Sequence, residues 1–104
     1  MSEDVFEVAD KSGRKIRLTN VRYKHIKRHP HMDDSIEIIK SVLQYPETIR
    51  FNEDDESVRF FYKEFKDMDA FERYLLVSVK YLNGDGFVIT SFYTNKITGA
   101  KWKT

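Results

Sequence analysis

Asn83-Gly84-Asp85-Gly86 separates two runs rich in β-branched and apolar residues, Arg73 to Leu82 and Phe87 to Thr94. Asn-Gly and Asp-Gly pairs accept the positive φ that a tight hairpin requires, so these runs are expected to pair antiparallel. That hairpin commits the C-terminal half of the chain to sheet. Ser57 to Phe65, strongly aromatic, and Thr48 to Asn52 extend it upstream. A content of 8 Phe and 6 Tyr in 104 residues also favours β-structure.

The N-terminal half reads differently. Val5, Phe6 and Val8 form a short strand, and Lys11-Ser12-Gly13 is a turn. Ile16 and Leu18 alternate with Arg17 and Thr19, completing an N-terminal hairpin. Thr19 or Asn20 can cap a helix whose stripe carries Val21, His25 and His29 at i, i+4 and i+8, with Ile26 beside it. Pro30 stops it near His29. Asp33, Asp34 or Ser35 caps a second helix, and Ile36, Ile39, Val42 and Leu43 give it one apolar face. Tyr45-Pro46 ends it. The expected order is two strands, two helices and four strands. This is an α+β chain in which a curled four-stranded antiparallel sheet packs on two short helices.

A length of 104 residues suits one domain, residues 1–104, and 40% apolar with 34% charged residues is a globular composition. The absence of cysteine removes disulfides and thiolate metal sites and fits a reducing, cytoplasmic setting. Met1 to Asp10 has neither the basic nor the apolar region of a signal peptide, and no apolar run is long enough to span a membrane. The net charge of +1 conceals an uneven distribution. Arg14, Lys15, Arg17, Arg22, Lys24, Lys27 and Arg28 crowd one segment. Glu53 to Glu56 and Asp67 to Glu72 are acidic, and the tail from Asn95 to Thr104 is basic. One face is therefore suited to a polyanion, although ordinary surface charge gives the same pattern.

All 3 histidines, His25, His29 and His31, fall within seven positions. A zinc site on His25 and His29 is disfavoured by Lys27 and Arg28 between them, which surround a dication with positive charge. RNA suits these residues better. Its 2′-hydroxyl is the nucleophile, an imidazole near neutral pH moves the protons, and Arg, Lys, Thr and Tyr donors stabilise the phosphorane. Such a mechanism needs no metal or cofactor and leaves DNA uncut. Each residue also has an ordinary explanation. His25 can be a half-buried histidine, His29 a helix C-terminal cation, and Tyr62 and Thr90 simple sheet residues. On strand alternation, Val58, Phe60, Tyr62 and Glu64 share one face, and Arg59, Phe61, Lys63 and Phe65 the other. Val88, Thr90 and Phe92 share a face, opposite Ser91 and Tyr93.

Gly13-Arg14-Lys15-Ile16-Arg17-Leu18-Thr19, Arg22, His25-Ile26, Arg28-His29-Pro30 and Met32 together resemble a known signature. It is that of the phage-associated nuclease domains grouped with barnase, EndoU, colicin and RelE. Pro46 with Ile49, Phe61-Tyr62-Lys63, Val88-Ile89-Thr90-Ser91-Phe92 and Gly99 continue the resemblance in order, over about residues 10–100. It implies a helical N-terminal part, a four-stranded antiparallel RelE- or barnase-like sheet, and metal-independent RNA cleavage. It also implies a toxin or phage-effector role, which brings an acidic antitoxin or immunity protein as partner. Carried onto this chain, His25 and His29 are the paired histidines, Tyr62 the aromatic strand residue, Lys63 the basic residue after it, and Thr90 the last-strand hydroxyl. Arg22, Lys24, Arg28 and Lys63 would hold the phosphates. The chain departs from the pattern at His31, where an acidic residue is expected, and at Thr90-Ser91-Phe92, where Thr-Ala-Tyr is expected. The ribonuclease reading predicts that His25, Tyr62 and Thr90 converge beside Arg28 and Lys63. The alternatives are a non-catalytic RNA- or protein-binding module on the same fold and a purely structural role.

Overall fold

A computed structural model describes residues 3–69 and 72–101. The acidic stretch Asp67 to Glu72, the N-terminal stretch Met1 to Asp10 and the basic tail Asn95 to Thr104 therefore lie partly outside the described residues. The strands are β1 (Asp4–Ala9), β2 (Lys15–Thr19), β3 (Thr48–Phe51), β4 (Val58–Glu64), β5 (Tyr74–Leu82), β6 (Asp85–Thr94) and β7 (Ala100–Lys101). Helices α1 (Asn20–Ile26) and α2 (Ile36–Gln44) lie between β2 and β3.

The α+β class holds, but the expected four-stranded antiparallel sheet does not. All the strands belong to one mixed sheet in the order β1-β2-β6-β5-β4-β3-β7, and β7 adds only two residues at one edge. The N-terminal hairpin joins the sheet because β2 runs parallel to β6, pairing Ile16 with Gly86 and Arg17 with Phe87. The cause is burial. Ile16 and Leu18 are fully buried, and laying β2 along β6 places both over the common core. Gly86 permits the approach, since a Cβ there would stand 2.8 Å from Ile16 Cδ1. A short parallel bridge between segments seventy residues apart has no local sequence signal.

One face of the sheet carries both helices. Ile26 of α1 and Ile39, Val42 and Leu43 of α2 pack with Phe61, Leu75, Val77, Val79 and Val88 in a single cluster. Thr19 is the α1 cap, its hydroxyl accepting from the Arg22 N–H at 3.3 Å. Ser35 occupies the N-cap position of α2 without capping it, and its hydroxyl donates to the Met32 carbonyl instead, at 2.7 Å. The Tyr23 hydroxyl donates to the Asp33 carbonyl and accepts from Ser35 N–H, clipping α1 to the loop before α2.

Strand alternation holds on β4 and fails on β6. Ser78 pairs with Thr90, but Val79 pairs with Val88, so Ile89 is an extra residue in a β-bulge. Opposed residues share a face. Val88 therefore faces the core with Val79, while Thr90 and Phe92 face away with Ser78 and Leu76. The expected grouping of Val88 with Thr90 is corrected by this one inserted residue. The face away from the helices, the outer face, carries Phe60, Tyr62, Leu76, Ser78, Thr90 and Phe92.

Among the described residues no helix is long and apolar enough to cross a membrane.

Candidate functional site

The bulge decides which sequence-selected residues meet. It turns Thr90 onto the outer face that also carries Tyr62, one strand further across beyond β5. The separation spans two strand spacings, roughly 10 Å. The Tyr62 side chain is 1% exposed, and its hydroxyl is engaged by Thr98: it accepts from the Thr98 N–H at 3.1 Å and shares a hydrogen bond with the Thr98 hydroxyl at 3.1 Å. The tail after β6 thus lies over Tyr62.

His29 reaches the rim of this face. Because β2 lies beside β6 only at its start, the later part of β6 has α1 as its neighbour. The α-helical bonding ends at Ile26, and Arg28 and His29 close tighter turns, donating to the carbonyls of His25 and Ile26 at 3.1 and 3.0 Å. His25 and His29 are therefore not on successive turns of one regular helix. The His29 ring packs on Phe92 with centroids 5.4 Å apart at 45°. Thr90 stands two residues from Phe92 on the same face. Imidazole and hydroxyl thus belong to one border between helix and sheet.

The stripe expected to be apolar faces outward. Val21 is 54% exposed and His25 is exposed, whereas Ile26 is fully buried. Arg22, Lys24, Lys27 and Arg28 are exposed as well, and no acidic residue stands in the first turn of α1. Lys27 lies over the Tyr23 ring at 5.2 Å. Among the described residues Arg22, Lys24 and Arg28 have no ion-pair partner, so α1 presents uncompensated positive charge.

Lys63 is not brought to this border. It pairs with Leu75 and so lies on the helix side of the sheet, across the β-layer from Thr90. His31 is drawn away too: its backbone takes a positive φ of 64°, and Nε2 lies 3.3 Å from the Glu72 carboxylate. No group of three or more His, Cys, Asp or Glu side chains among the described residues is placed to hold a metal.

The sequence reading missed a cavity of about 590 Å³ on the helix side, between the β1–β2 turn and β3. None of His25, His29, Tyr62, Thr90, Arg22, Lys24, Arg28 or Lys63 lines it. Its residues come from four separate segments; the Lys11-Ser12 turn and Pro46 carried local signals, but no local signal brings the four together.

Compared with known proteins, the chain matches no family model, no curated protein and no solved structure.

Proposed function

We propose that this chain is a metal-independent, cytoplasmic endoribonuclease-like domain acting at the border between α1 and β6. The observation that carries the reading is the His29–Phe92 contact, with Thr90 two residues along the same face and unpaired Arg22, Lys24 and Arg28 nearby. The cations hold the phosphodiester. One imidazole takes the proton from the 2′-hydroxyl as its oxygen attacks phosphorus. A second proton goes to the departing 5′-oxygen, and a 2′,3′-cyclic phosphate remains. His29, braced by Phe92, and the exposed His25 are the proton carriers. The Thr90 hydroxyl is a donor to the phosphorane oxygens. An acidic protein covering α1 would silence such an activity, which is the partner this reading implies.

The test is incubation of the parent, His29→Ala, His25→Ala and Thr90→Ala with RNA in EDTA. The parent should release cyclic-phosphate ends and spare DNA. His29→Ala should slow cleavage by about 10²–10⁴-fold, the range of general acid–base catalysis. Equal cleavage by His29→Ala and the parent refutes the assignment.

A second reading, an RNA-binding module without catalysis, is favoured by one observation. The Tyr62 phenol is already occupied by Thr98. Salt-sensitive RNA binding with no cleavage product would select it.

A further inference from the structure

The β1–β2 turn folds over the helix side of the sheet, away from Thr90. Two hydrogen bonds hold it there. Lys11 N–H donates to the Leu43 carbonyl at the end of α2, at 3.1 Å, and the Tyr81 hydroxyl donates to Asp10. Between this turn and residues 46–50 lies the cavity of about 590 Å³. That volume is within the range of small-molecule sites, roughly 300–1,000 Å³. Pro46, Ile49 and Phe61 supply apolar lining, and Lys11, Arg14 and Arg59 supply cations.

The charge of the cleft follows from its hydrogen bonds. Asp10 and Glu47 also line it, but both carboxylates are engaged. Asp10 Oδ1 accepts from Ser12 N–H, Ser12 Oγ and Arg14 N–H at 2.8, 2.6 and 3.0 Å. Glu47 Oε2 accepts from Glu64 N–H at 2.6 Å. Among the described residues, Lys11 and Arg14 have no ion-pair partner. The Arg14 guanidinium is instead held over the Tyr81 ring, 4.9 Å from its centroid. Asp10 is thus engaged by the turn and Glu47 by the end of β4, while Lys11 and Arg14 keep donors to spare.

We propose that this cleft binds a small organic oxyanion, its aromatic or alkyl body resting on Ile49 and Phe61 and its carboxylate or phosphate meeting Arg14, Lys11 and Arg59. An apolar wall alone would accept a neutral ligand, and a cationic rim alone would accept a bare anion. The combination selects a ligand carrying both features. This site is independent of the RNA reading, because its lining shares no residue with the α1–β6 border.

The test is an amide chemical-shift titration of the nitrogen-15-labelled chain with benzoate, phenyl phosphate, benzyl alcohol and inorganic phosphate. Benzoate or phenyl phosphate should move the amides of Ser12, Ile49 and Phe61, and whichever binds tighter identifies the head group. Benzyl alcohol, which lacks the charge-assisted contact, and inorganic phosphate, which lacks the apolar body, should each bind about tenfold more weakly. Arg14→Ala should weaken the better ligand by a similar factor, and Lys11→Ala, an exposed change that preserves folding, provides the same readout. Lys66→Ala, at an exposed position outside the cavity lining, should change nothing. The proposal fails if benzyl alcohol matches benzoate, if inorganic phosphate matches phenyl phosphate, if Lys11→Ala and Lys66→Ala behave alike, or if these amides do not move.

Discussion

The phenol of Tyr81, near the end of β5, donates a hydrogen bond to the carboxylate of Asp10 in the first turn of the chain. Asp10 is 6% exposed, and its other oxygen is taken by Ser12 and Arg14. Burial, and then the neighbouring carboxylate, push the Tyr81 pKa well above its ordinary value of 10.0. The contribution of this group is therefore intact below pH 10. Stability declines as pH rises beyond that, because the unfolded chain ionises where the folded chain does not. Tyr81→Phe should lower stability near neutral pH by about 1–3 kcal/mol, the range for a lost buried hydrogen bond to a charged group. It should also flatten the alkaline loss. Urea midpoints at about pH 8 and about pH 11 check this, with parallel slopes for parent and variant as the refuting result. Tyr93, raised in the same direction by burial and Glu72, leaves a residual slope in both proteins.

Gly86 is the point at which the N-terminal hairpin enters the sheet. An added Cβ would meet Ile16 Cδ1 at 2.8 Å, Val79 Cγ1 at 3.0 Å and the Lys80 carbonyl oxygen at 3.1 Å. Both side chains are fully buried and the third atom is backbone, so little can move aside. Gly86→Ala is expected to destabilise by about 1–3 kcal/mol, the usual overpacking range. Faster amide exchange should be concentrated in β2 and the start of β6. A Gly86→Ala protein with the parent's urea midpoint would show that the parallel bridge tolerates a wider gap.

Much of the fold was legible because it is local. The Asn83-Gly84 turn has Asn83 at φ 55° and Gly84 at φ 91°, the geometry the dipeptide announces. The apolar face of α2 and the alternation on β4 also reappear as read. What escaped was non-local or turned on one residue. The pairing of Ile16 with Gly86 depends on tertiary burial, and the bulge at Ile89 reverses which face the rest of β6, Thr90 to Thr94, uses. The histidine stripe misled because α1 is only 7 residues long and buries Ile26, not the His25 line. Of the candidate site residues, Thr90 and Tyr62 share a face as β-pairing allows, and His29 joins its rim. Lys63 is excluded from it by the same period of two that placed Tyr62 there.

Tyr62 tethers the tail to the outer face. Its hydroxyl makes both bonds to Thr98, and the neighbouring Gly99 takes a positive φ of 91°, packed so closely that a Cβ would lie 2.9 Å from Phe60 Cδ2. Tyr62→Phe keeps the ring and removes the tether. A loss of about 1 kcal/mol is expected. Exchange should accelerate at the Thr98 amide and along the β3–β7 pairing at Arg50 and Phe51. If Tyr62→Phe instead abolished RNA cleavage while the Thr98 amide kept its protection, the phenol would belong to the chemistry and not to the tether.

Positive charge on α1 makes a quantitative prediction for RNA binding. Arg22, Lys24 and Arg28 are exposed and lack ion pairs among the described residues, so a polyanion meets them without first displacing a carboxylate. Each phosphate contact to a single strand contributes about 0.7 to the slope of log affinity against log salt. Replacing all three by Ala should reduce that slope by about 2 and weaken binding most at low salt. Lys63→Ala, on the helix side of the sheet, should leave the slope unchanged. Fluorescence anisotropy of a labelled oligoribonucleotide across a salt series measures both. A slope that falls with Lys63→Ala and survives the triple replacement would move the RNA surface away from α1 to the region around Lys63.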